Sequence, residues 1–201
     1  MPKCLAPLQN KLAVIILAAG GSTRLGRPKQ LLRYRGEPLI AHTVRLASAA
    51  TRKGIIVVLG DQQLRLRRAL RSRPSTPTLI ANPQWRAGQS SSLQRGLEAV
   101  PPEYSAVLIL VVDQAFLTTT DLQRLVRAWR RNPSKPAAAS HDGTIGVPAI
   151  IPRRWFRSVR KIRGDVGAKP LLRTIAGLTQ VDMPRAAFDV DTDKDAERLR
   201  R

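Results

Sequence analysis

The sequence predicts an α/β fold in which helices cover both faces of a mostly parallel, twisted sheet that contains one antiparallel strand. Short aliphatic runs alternate with longer amphipathic runs, which is typical of strands joined by helical crossovers. The first aliphatic run stops at a pair of glycines, and beyond Pro133 the alternation becomes less regular. Neither an internal repeat nor a linker divides the sequence, so residues 1–201 are predicted to form one domain.

The predicted strands and helices follow from the period of the apolar residues. The stretches rich in aliphatic and β-branched residues are predicted as parallel strands: Leu12 to Leu17, Gly54 to Leu59, Thr78 to Ala81 and Ala106 to Val112. The amphipathic stretches are predicted as helices: Pro38 to Ala50, Asp61 to Ser72, Ser90 to Val100 and Thr119 to Arg131. For the last of these, Thr119 or Thr120 is the expected N-cap of a helix that starts near Asp121.

The antiparallel strand is predicted from a turn in the last third of the chain. His141-Asp142-Gly143 separates the short runs Ala137 to Ala139 and Gly146 to Ile151, which indicates a hairpin. A final strand is expected around Ala187 to Val190.

Composition restricts the partners and the compartment. The chain has 35 Lys and Arg residues against 14 Asp and Glu residues, and its net charge of +21 attracts polyanions, nucleotides or anionic membranes without choosing among them. The single Cys4 excludes an intramolecular disulfide, which favours a reducing, cytoplasmic compartment. The apolar stretch after Lys11 is too short for a signal peptide, and the sequence predicts no membrane-spanning segment.

The segment from Leu17 to Leu31 has the composition of a phosphate-binding loop. It follows the first predicted strand directly, and its glycines allow backbone N–H groups to approach phosphate oxygens while Arg24 and Lys29 add positive charge. It is not a Walker loop, because Lys and Ser or Thr do not follow Gly26. The alternative interpretation of this segment is an exposed turn between a strand and a helix that binds no ligand.

This loop resembles the signature of a family of nucleotidyltransferases. LAAGGSTRLGRPKQLL is similar to the loop of the molybdopterin cytidylyl- and guanylyltransferases, the methylerythritol cytidylyltransferases and the sugar-phosphate nucleotidyltransferases. The resemblance implies a Rossmann-like, three-layer nucleotidyltransferase fold and assigns catalytic roles to Lys29, Arg24 and Asp113. The residues that it places at the nucleotide are Leu17, Ala18, Ala19, Gly20, Gly21, Ser22, Gly26, Lys29, Asn82 and Ser91.

Later segments resemble the cytidylyltransferases that act on molybdenum cofactor. The similarity lies in Asn82 to Trp85, Gly88 to Leu93, Gly146 to Pro148 and Gly164 to Ala168. It implies CTP as substrate and a phosphorylated pterin as acceptor, with molybdenum hydroxylases as further partners; GTP remains the alternative nucleotide. The residues that it places at the acceptor are Gly88, Ser90, Ser92, Gly146, Asp165, Gly167 and Lys169, where relatives commonly carry Arg at the last position. Capping of the next helix is an equally good explanation of Asp165.

Two acidic positions are predicted to hold Mg²⁺. Asp113 follows a long aliphatic strand, and ligands gather at the carboxyl ends of strands in open α/β sheets. The resembling proteins usually have Pro at the position of Ala115, a difference that is expected to loosen this turn. The second ligand is expected to be Asp191, with Asp189 as the alternative because alternation in a strand would put both on one face. Helix capping is an equally good explanation of Asp191.

The reaction implied by the resemblance is attack of an acceptor phosphate on the α-phosphorus of CTP with release of pyrophosphate. Such a nucleophile is already ionised, which fits the lack of a Ser/His/Asp or Cys/His arrangement in the sequence. Another phosphorylated acceptor is an alternative, as is a partner of molybdenum hydroxylases that has lost transfer activity. Nucleic-acid binding is the rival function, suggested by the arginines around Arg65 to Arg68 and Arg153 to Arg163. His42 is interpreted as a core histidine.

Overall fold

The computed structural model describes residues 11–71 and 76–200, and its centre is a seven-stranded sheet. The strands are β1 (Leu12–Ala18), β2 (Arg33–Tyr34), β3 (Glu37–Pro38), β4 (Ile55–Leu59), β5 (Thr78–Ala81), β6 (Ala106–Val111), β7 (Ala137–His141), β8 (Thr144–Pro152) and β9 (Thr179–Asp182). The helices are α1 (Leu39–Ala50), α2 (Gln63–Leu70), α3 (Gln89–Glu98), α4 (Thr119–Arg131), α5 (Phe156–Val159), α6 (Lys169–Thr174) and α7 (Asp193–Arg198).

The sheet has the order β5-β4-β1-β6-β8-β7-β9, and β2 and β3 form a separate hairpin. Strand β8 runs antiparallel to its neighbours β6 and β7, whereas the other pairings in the large sheet are parallel. The prediction of a mostly parallel sheet with one antiparallel strand is therefore confirmed. The predicted single domain includes residues 1–10, 72–75 and 201, which lie outside the described residues.

The core is divided by the sheet into two layers because successive side chains of each strand point to opposite faces. Along β1, Val14 and Ile16 pack into a cluster with α1, α2 and α4, while Ile15 and Leu17 pack into a second cluster with α3, α5 and α6. All seven residues of β1 are buried, as expected for a central parallel strand. These clusters fix the carboxyl ends of β1 and β6 next to each other, with Leu17 paired to Val111.

The prediction of a final strand around Ala187 to Val190 is wrong. Pro184–Ala187 forms a 3₁₀ turn, and the following residues cross the end of the sheet, where Val190 donates its N–H to the Asp113 carbonyl at 3.0 Å. The seventh strand of the large sheet is instead β9. Its sequence, Thr-Gln-Val-Asp, has one apolar residue, so the pattern of apolar residues predicts a strand only weakly.

The helix boundaries differ from the sequence predictions at several points. Helix α1 begins one residue later than predicted, at Leu39, and α3 spans Gln89–Glu98 instead of Ser90 to Val100. Helix α4 is capped by Thr118 and not by Thr119 or Thr120: Thr118 and Asp121 form a reciprocal capping box. Helix α2 spans Gln63–Leu70 and is thus shorter than the predicted stretch. Within the described residues, every helix is too short or too polar to cross a bilayer.

Candidate active site

A cleft with a volume of about 890 Å³ opens at the carboxyl ends of β1 and β6. One wall is the glycine loop that follows β1, the floor is the end of β6, and the opposite wall is formed by segments near residues 85–92 and 165. The lining residues among those predicted from the sequence are Leu17, Ala18, Ala19, Gly20, Gly21, Arg24, Lys29, Gly88, Ser92, Asp113, Asp165 and Asp191. The cleft therefore joins the predicted nucleotide loop, the predicted metal carboxylates and part of the predicted acceptor segment.

The glycine loop is held in shape by its own side chains. Gln30, which is buried, donates its amide to the carbonyl oxygens of Ala18 at 3.2 Å and Gly20 at 2.7 Å. The hydroxyl of Ser22 accepts a hydrogen bond from the backbone N–H of Lys29 at 3.1 Å, and Ser22 itself has a φ of 53°. Ser22 and Gln30 thus hold the loop in shape from within.

Lys29 lies between two carboxylates that are distant from it in sequence. Its Nζ is 2.5 Å from Oδ2 of Asp113 and 2.9 Å from Oδ1 of Asp191. Burial disfavours the charged form of Lys29, but the negative charges and hydrogen bonds of Asp113 and Asp191 outweigh that effect and raise its pKa above the ordinary value. Lys29 is therefore a fixed positive charge at the floor of the cleft.

A second group of ion pairs ties the glycine loop to the start of α7 and the residues just before it. Arg24 binds Oδ2 of Asp191 at 2.8 Å, and Arg27 binds Asp193 at 2.7 Å. Arg24 faces the cleft with a side chain that is 73% exposed, so it can exchange this partner for a ligand. The Arg27 pair lies outside the cleft-lining residues, and exposed pairs of this kind contribute about 0–1 kcal/mol.

The carboxylates have a donor set that fits a hard divalent cation. Oδ1 of Asp113 is buried and accepts no hydrogen bond from the described residues, so one anionic oxygen is left for another ligand. Residues 11–71 and 76–200 hold no group of three or more His, Cys, Asp or Glu side chains placed to bind a metal by themselves. This arrangement suits Mg²⁺, which is usually held by one or two carboxylates together with substrate phosphates.

Asp189 contributes negative charge to the same region. Partial burial, followed by the charges of Asp113 and Asp191, raises the pKa of Asp189 to about 6.

The turn at Asp113 is closed by a backbone hydrogen bond. The N–H of Ala115 donates to the Asp113 carbonyl at 3.0 Å, and a proline at position 115 could not make this bond. Ala115 therefore stabilises the turn through a hydrogen bond that the proline of the resembling proteins lacks.

Asn82 and Ser91 hold the opposite wall together instead of lining the cleft. The amide of Asn82 is 2.9 Å from the Ser91 hydroxyl and 3.0 Å from that of Ser92, and its Oδ1 accepts the N–H of Gln84 at 3.0 Å. The Ser91 hydroxyl is also within 2.9 Å of the carbonyls of Gln84 and Gly88. These bonds close the loop that carries Trp85 to the edge of the cleft.

The two segments predicted to bind the acceptor pack on each other. A Cβ at Gly88, whose φ is 101°, would lie 2.5 Å from the backbone of Gly164, and Asp165 accepts the N–H of Gln89 at 3.3 Å. Gly88, Ser92 and Asp165 line the cleft. The structure places the remaining predicted acceptor residues outside the cleft-lining set: Ser90, which is buried, Gly146, Gly167 and Lys169.

Several cleft residues carry little signal in the sequence. Trp85 and Arg86 reach the cleft from the 3₁₀ turn Trp85–Ala87, and a Cβ at Gly21 would meet the Trp85 ring at 3.0 Å. The others are Thr23, Gln30, Ala87, Gln89, Val111 and Val112. Gln30 could have been predicted from its position beside Lys29. Nothing in the sequence distinguishes Trp85 from a tryptophan that only packs against other side chains.

Residues 14–183 match the model of the MobA-like NTP transferase domain. Nicotine blue oxidoreductase of Paenarthrobacter nicotinovorans is 28% identical over 197 residues, which cover 92% of this chain and 94% of that protein. Bifunctional protein GlmU of Kineococcus radiotolerans is 38% identical over 199 residues, or 89% of this chain but 40% of GlmU.

A similar fold is found in Rv0371c from Mycobacterium tuberculosis H37Rv. Its crystal structure superposes with a TM-score of 0.79 at 25% identity and covers 94% of this chain and 97% of the other. A complex of Rv0371c with manganese superposes with a TM-score of 0.75 at 25% identity.

Proposed function

Because this chain belongs to the MobA-like NTP transferase family and is a nucleotidyltransferase, we propose that it transfers CMP from CTP to the phosphate of molybdenum cofactor. The single observation that carries the nucleotidyl-transfer part of this proposal is the position of Lys29 between Asp113 and Asp191 at the floor of the cleft. A fixed ammonium beside two carboxylates and a glycine loop offers partners to both components of a metal–triphosphate substrate.

The residues of the cleft fit the separate requirements of nucleotidyl transfer. Backbone N–H groups around Gly20 and Gly21 are proposed to bind the triphosphate, with Lys29 and Arg24 neutralising its charge. Asp113 and Asp191 are proposed to hold Mg²⁺, which would supply further neutralisation of the phosphates. Lys29 and Arg24 are released for this task when their carboxylate partners take up other ligands.

The proposed reaction forms one phosphorus–oxygen bond and breaks another. An oxygen of the acceptor phosphate attacks the α-phosphorus of CTP, and the bond between the α- and β-phosphates breaks to release pyrophosphate. No proton has to be removed from the nucleophile, so the residues act by positioning and charge. Gly88, Ser92 and Asp165 are the proposed acceptor contacts in the cleft.

The choice of CTP and of the pterin rests on the later sequence motifs. Gly88 to Leu93 and Gly164 to Ala168, which are adjacent in space, resemble segments of the molybdenum cofactor cytidylyltransferases. Asn82 and Ser91 support this wall from behind and are proposed to affect the nucleotide through its shape. We further propose a cytoplasmic location and molybdenum hydroxylases as recipients of the product.

A mass-based assay would test the proposal. The protein is incubated with Mg²⁺, molybdenum cofactor and each of the four NTPs, and the products are identified by mass while pyrophosphate is measured. We expect a cytidylylated cofactor and stoichiometric pyrophosphate. A guanylylated product, or transfer only to another phosphorylated acceptor, would contradict the assigned substrates.

Two further arms address other classes of function. Oxidation or reduction of nicotine blue by the protein would indicate the reaction named for the Paenarthrobacter relative. Salt-sensitive binding of RNA without pyrophosphate release would indicate the nucleic-acid binder suggested by the basic composition.

A further inference from the structure

A second cavity, of about 410 Å³, lies between the β2–β3 hairpin, α1 and the loop that precedes α4. None of the described residues lines both this cavity and the active-site cleft. Its charged and aromatic lining residues are Tyr34, Arg35, His42, Arg45, Phe116 and Arg185, and the hydroxyl residues Thr118 and Thr119 also line it. The volume is within the range of small-molecule sites.

His42 carries an unused hydrogen-bonding group in this cavity. The residue is 3% exposed, and Arg45 lies 2.8 Å from its Nδ1. A guanidinium can only donate, so Nδ1 accepts and the hydrogen of the neutral ring is on Nε2. Nε2 is buried and has no hydrogen-bond partner among the described residues, which leaves a donor available to a ligand.

The neutral form of His42 is favoured by its surroundings. Burial, and then the positive charge of Arg45, lower the pKa of His42. Glu37, whose Oε1 is 3.5 Å from Nδ1 and 2.8 Å from Arg45, acts in the opposite direction but is outweighed. The backbone of Leu117 lies close enough to the ring to favour its protonated form, although the contact lacks the geometry of a full hydrogen bond to Nε2.

The charged side chains that line this cavity are positive. Arg35, Arg45 and Arg185 come from three different elements, and none of the described residues that line the cavity is acidic. Arg45 is paired with Glu37 behind the wall, and Arg185 is 3.5 Å from Asp121. Asp121 is already engaged by the capping box of α4. Arg35 lies over the ring of Tyr34 at 5.2 Å, where an anion can reach it.

The apolar part of the wall is aromatic. The rings of Tyr34 and Phe116 meet edge to face with centroids 5.6 Å apart, and Phe116 stacks on Phe188 at 4.5 Å. Flat rings favour the packing of a flat ligand group. The cavity thus combines arginine forks for an anion, a buried N–H donor and an aromatic surface.

We propose that this cavity binds a small phosphomonoester that carries a flat ring. The phosphate contacts Arg35 and Arg185, because guanidinium groups match phosphate oxygens geometrically. The ring packs on Tyr34 and Phe116, and Nε2 of His42 donates to the ligand. Such a site is separate from the substrates of the proposed transfer reaction, and its existence does not depend on that function.

The two histidines of the chain, His42 and His141, make the test specific. The protein is labelled with ¹⁵N-histidine and titrated with phenyl phosphate, and the ring resonances are followed by NMR. We expect the His42 signals to shift in a saturable manner with a dissociation constant of about 1 mM or tighter, with His141 unchanged. An absent or unsaturable shift of His42 overturns the proposal.

Matched probes and variants separate the parts of the site. Inorganic phosphate carries only the anion, and benzyl alcohol carries only the ring. If either one shifts the His42 signals as much as phenyl phosphate does, the proposed ligand class is overturned.

Variants test the two proposed phosphate contacts. Arg35→Gln and Arg185→Gln, both at exposed positions, are expected to weaken binding of phenyl phosphate at least about 5-fold. Arg157→Gln on α5 is the control for loss of one charge, and Arg24→Gln is the control for binding in the cleft. Both controls should leave the titration within about 2-fold, and equal weakening in the controls overturns the assignment.

Discussion

The ammonium of Lys29 and the carboxylate of Asp113 lie 2.5 Å apart although 84 positions separate them in the chain. The contact joins the end of the glycine loop to the end of β6, which are brought together because β1 and β6 are paired from Leu12 and Ala106 to Leu17 and Val111. It therefore depends on the sheet and not on local sequence. Two predictions follow directly from this pair.

Asp113→Asn is expected to lower the rate of transfer by about 100-fold or more, because the neutral amide lacks the negative charge that holds a divalent cation firmly beside the phosphates. The fold should survive, since the amide keeps the shape of the side chain. Pyrophosphate release at saturating NTP and Mg²⁺ measures the effect, and circular dichroism monitors the fold. Asp142→Asn in the β7–β8 turn is the matched control. Activity of Asp113→Asn within about 3-fold of wild type would remove Asp113 from the site.

Lys29→Met is expected to reduce kcat/KM for the NTP by about 100-fold, because a charge that neutralises phosphate in a partly buried site is lost. Lys29→Arg should not restore activity, since the ammonium occupies a narrow position between Asp113 and Asp191. Steady-state kinetics with the NTP varied provide the measurement. A change confined to the KM of the acceptor would instead assign Lys29 to the acceptor half of the cleft.

Arg24→Gln and Arg27→Gln form a matched pair on the same loop. Both arginines are ion-paired to the segment near α7, but Arg24 lines the cleft and Arg27 does not. We expect kcat/KM to fall about 10-fold for Arg24→Gln and less than about 2-fold for Arg27→Gln. Equal losses in the two variants would mean that the pairs act by holding the loop and not by binding substrate.

The sequence predicted the parts of the site that local patterns encode. The aliphatic runs of β1 and β6 placed the glycine loop and Asp113 at strand ends, because central strands of this kind are buried on both faces. The seventh strand was missed because β9 is polar at the sheet edge, and the path of residues 187–191 depends on a long-range bond from Val190 to Asp113. The second cavity was not predicted either, since Tyr34, Phe116 and Phe188 meet only after folding.

The pH dependence of stability should report the burial of His42. The pKa of His42 is lowered in the folded protein, so below the ordinary value of 6.5 the unfolded chain binds a proton that the folded chain does not. The stabilisation is complete above pH 6.5 and is lost as the pH falls towards the folded pKa, with a slope of up to about 1.4 kcal/mol per pH unit. Urea unfolding of wild type and His42→Gln between pH 5 and 8 measures the difference. Parallel pH profiles for the two proteins would show that His42 titrates normally.

Gly20 and Gly88 line opposite walls of the cleft, and their substitution by alanine should affect different properties of the protein. Gly20 has open space at its Cβ position, so Gly20→Ala should leave the free energy of unfolding within about 0.5 kcal/mol of wild type. Because Gly20 lines the cleft in the proposed phosphate-binding loop, where a bare backbone permits close approach, the KM for the NTP should rise about 10-fold.

Gly88→Ala should instead destabilise the protein by about 1–3 kcal/mol, because its φ of 101° is unfavourable for alanine and the new Cβ would lie 2.5 Å from the Gly164 backbone. The collision pushes the 164–165 segment away, so the acceptor half of the cleft should be affected more than the nucleotide half. Urea unfolding and separate binding titrations of NTP and acceptor distinguish the two variants. If Gly20→Ala binds NTP normally, the loop does not bind phosphate through its backbone at that position; if Gly88→Ala keeps normal acceptor affinity despite lower stability, the adjoining segments do not form the acceptor half-site.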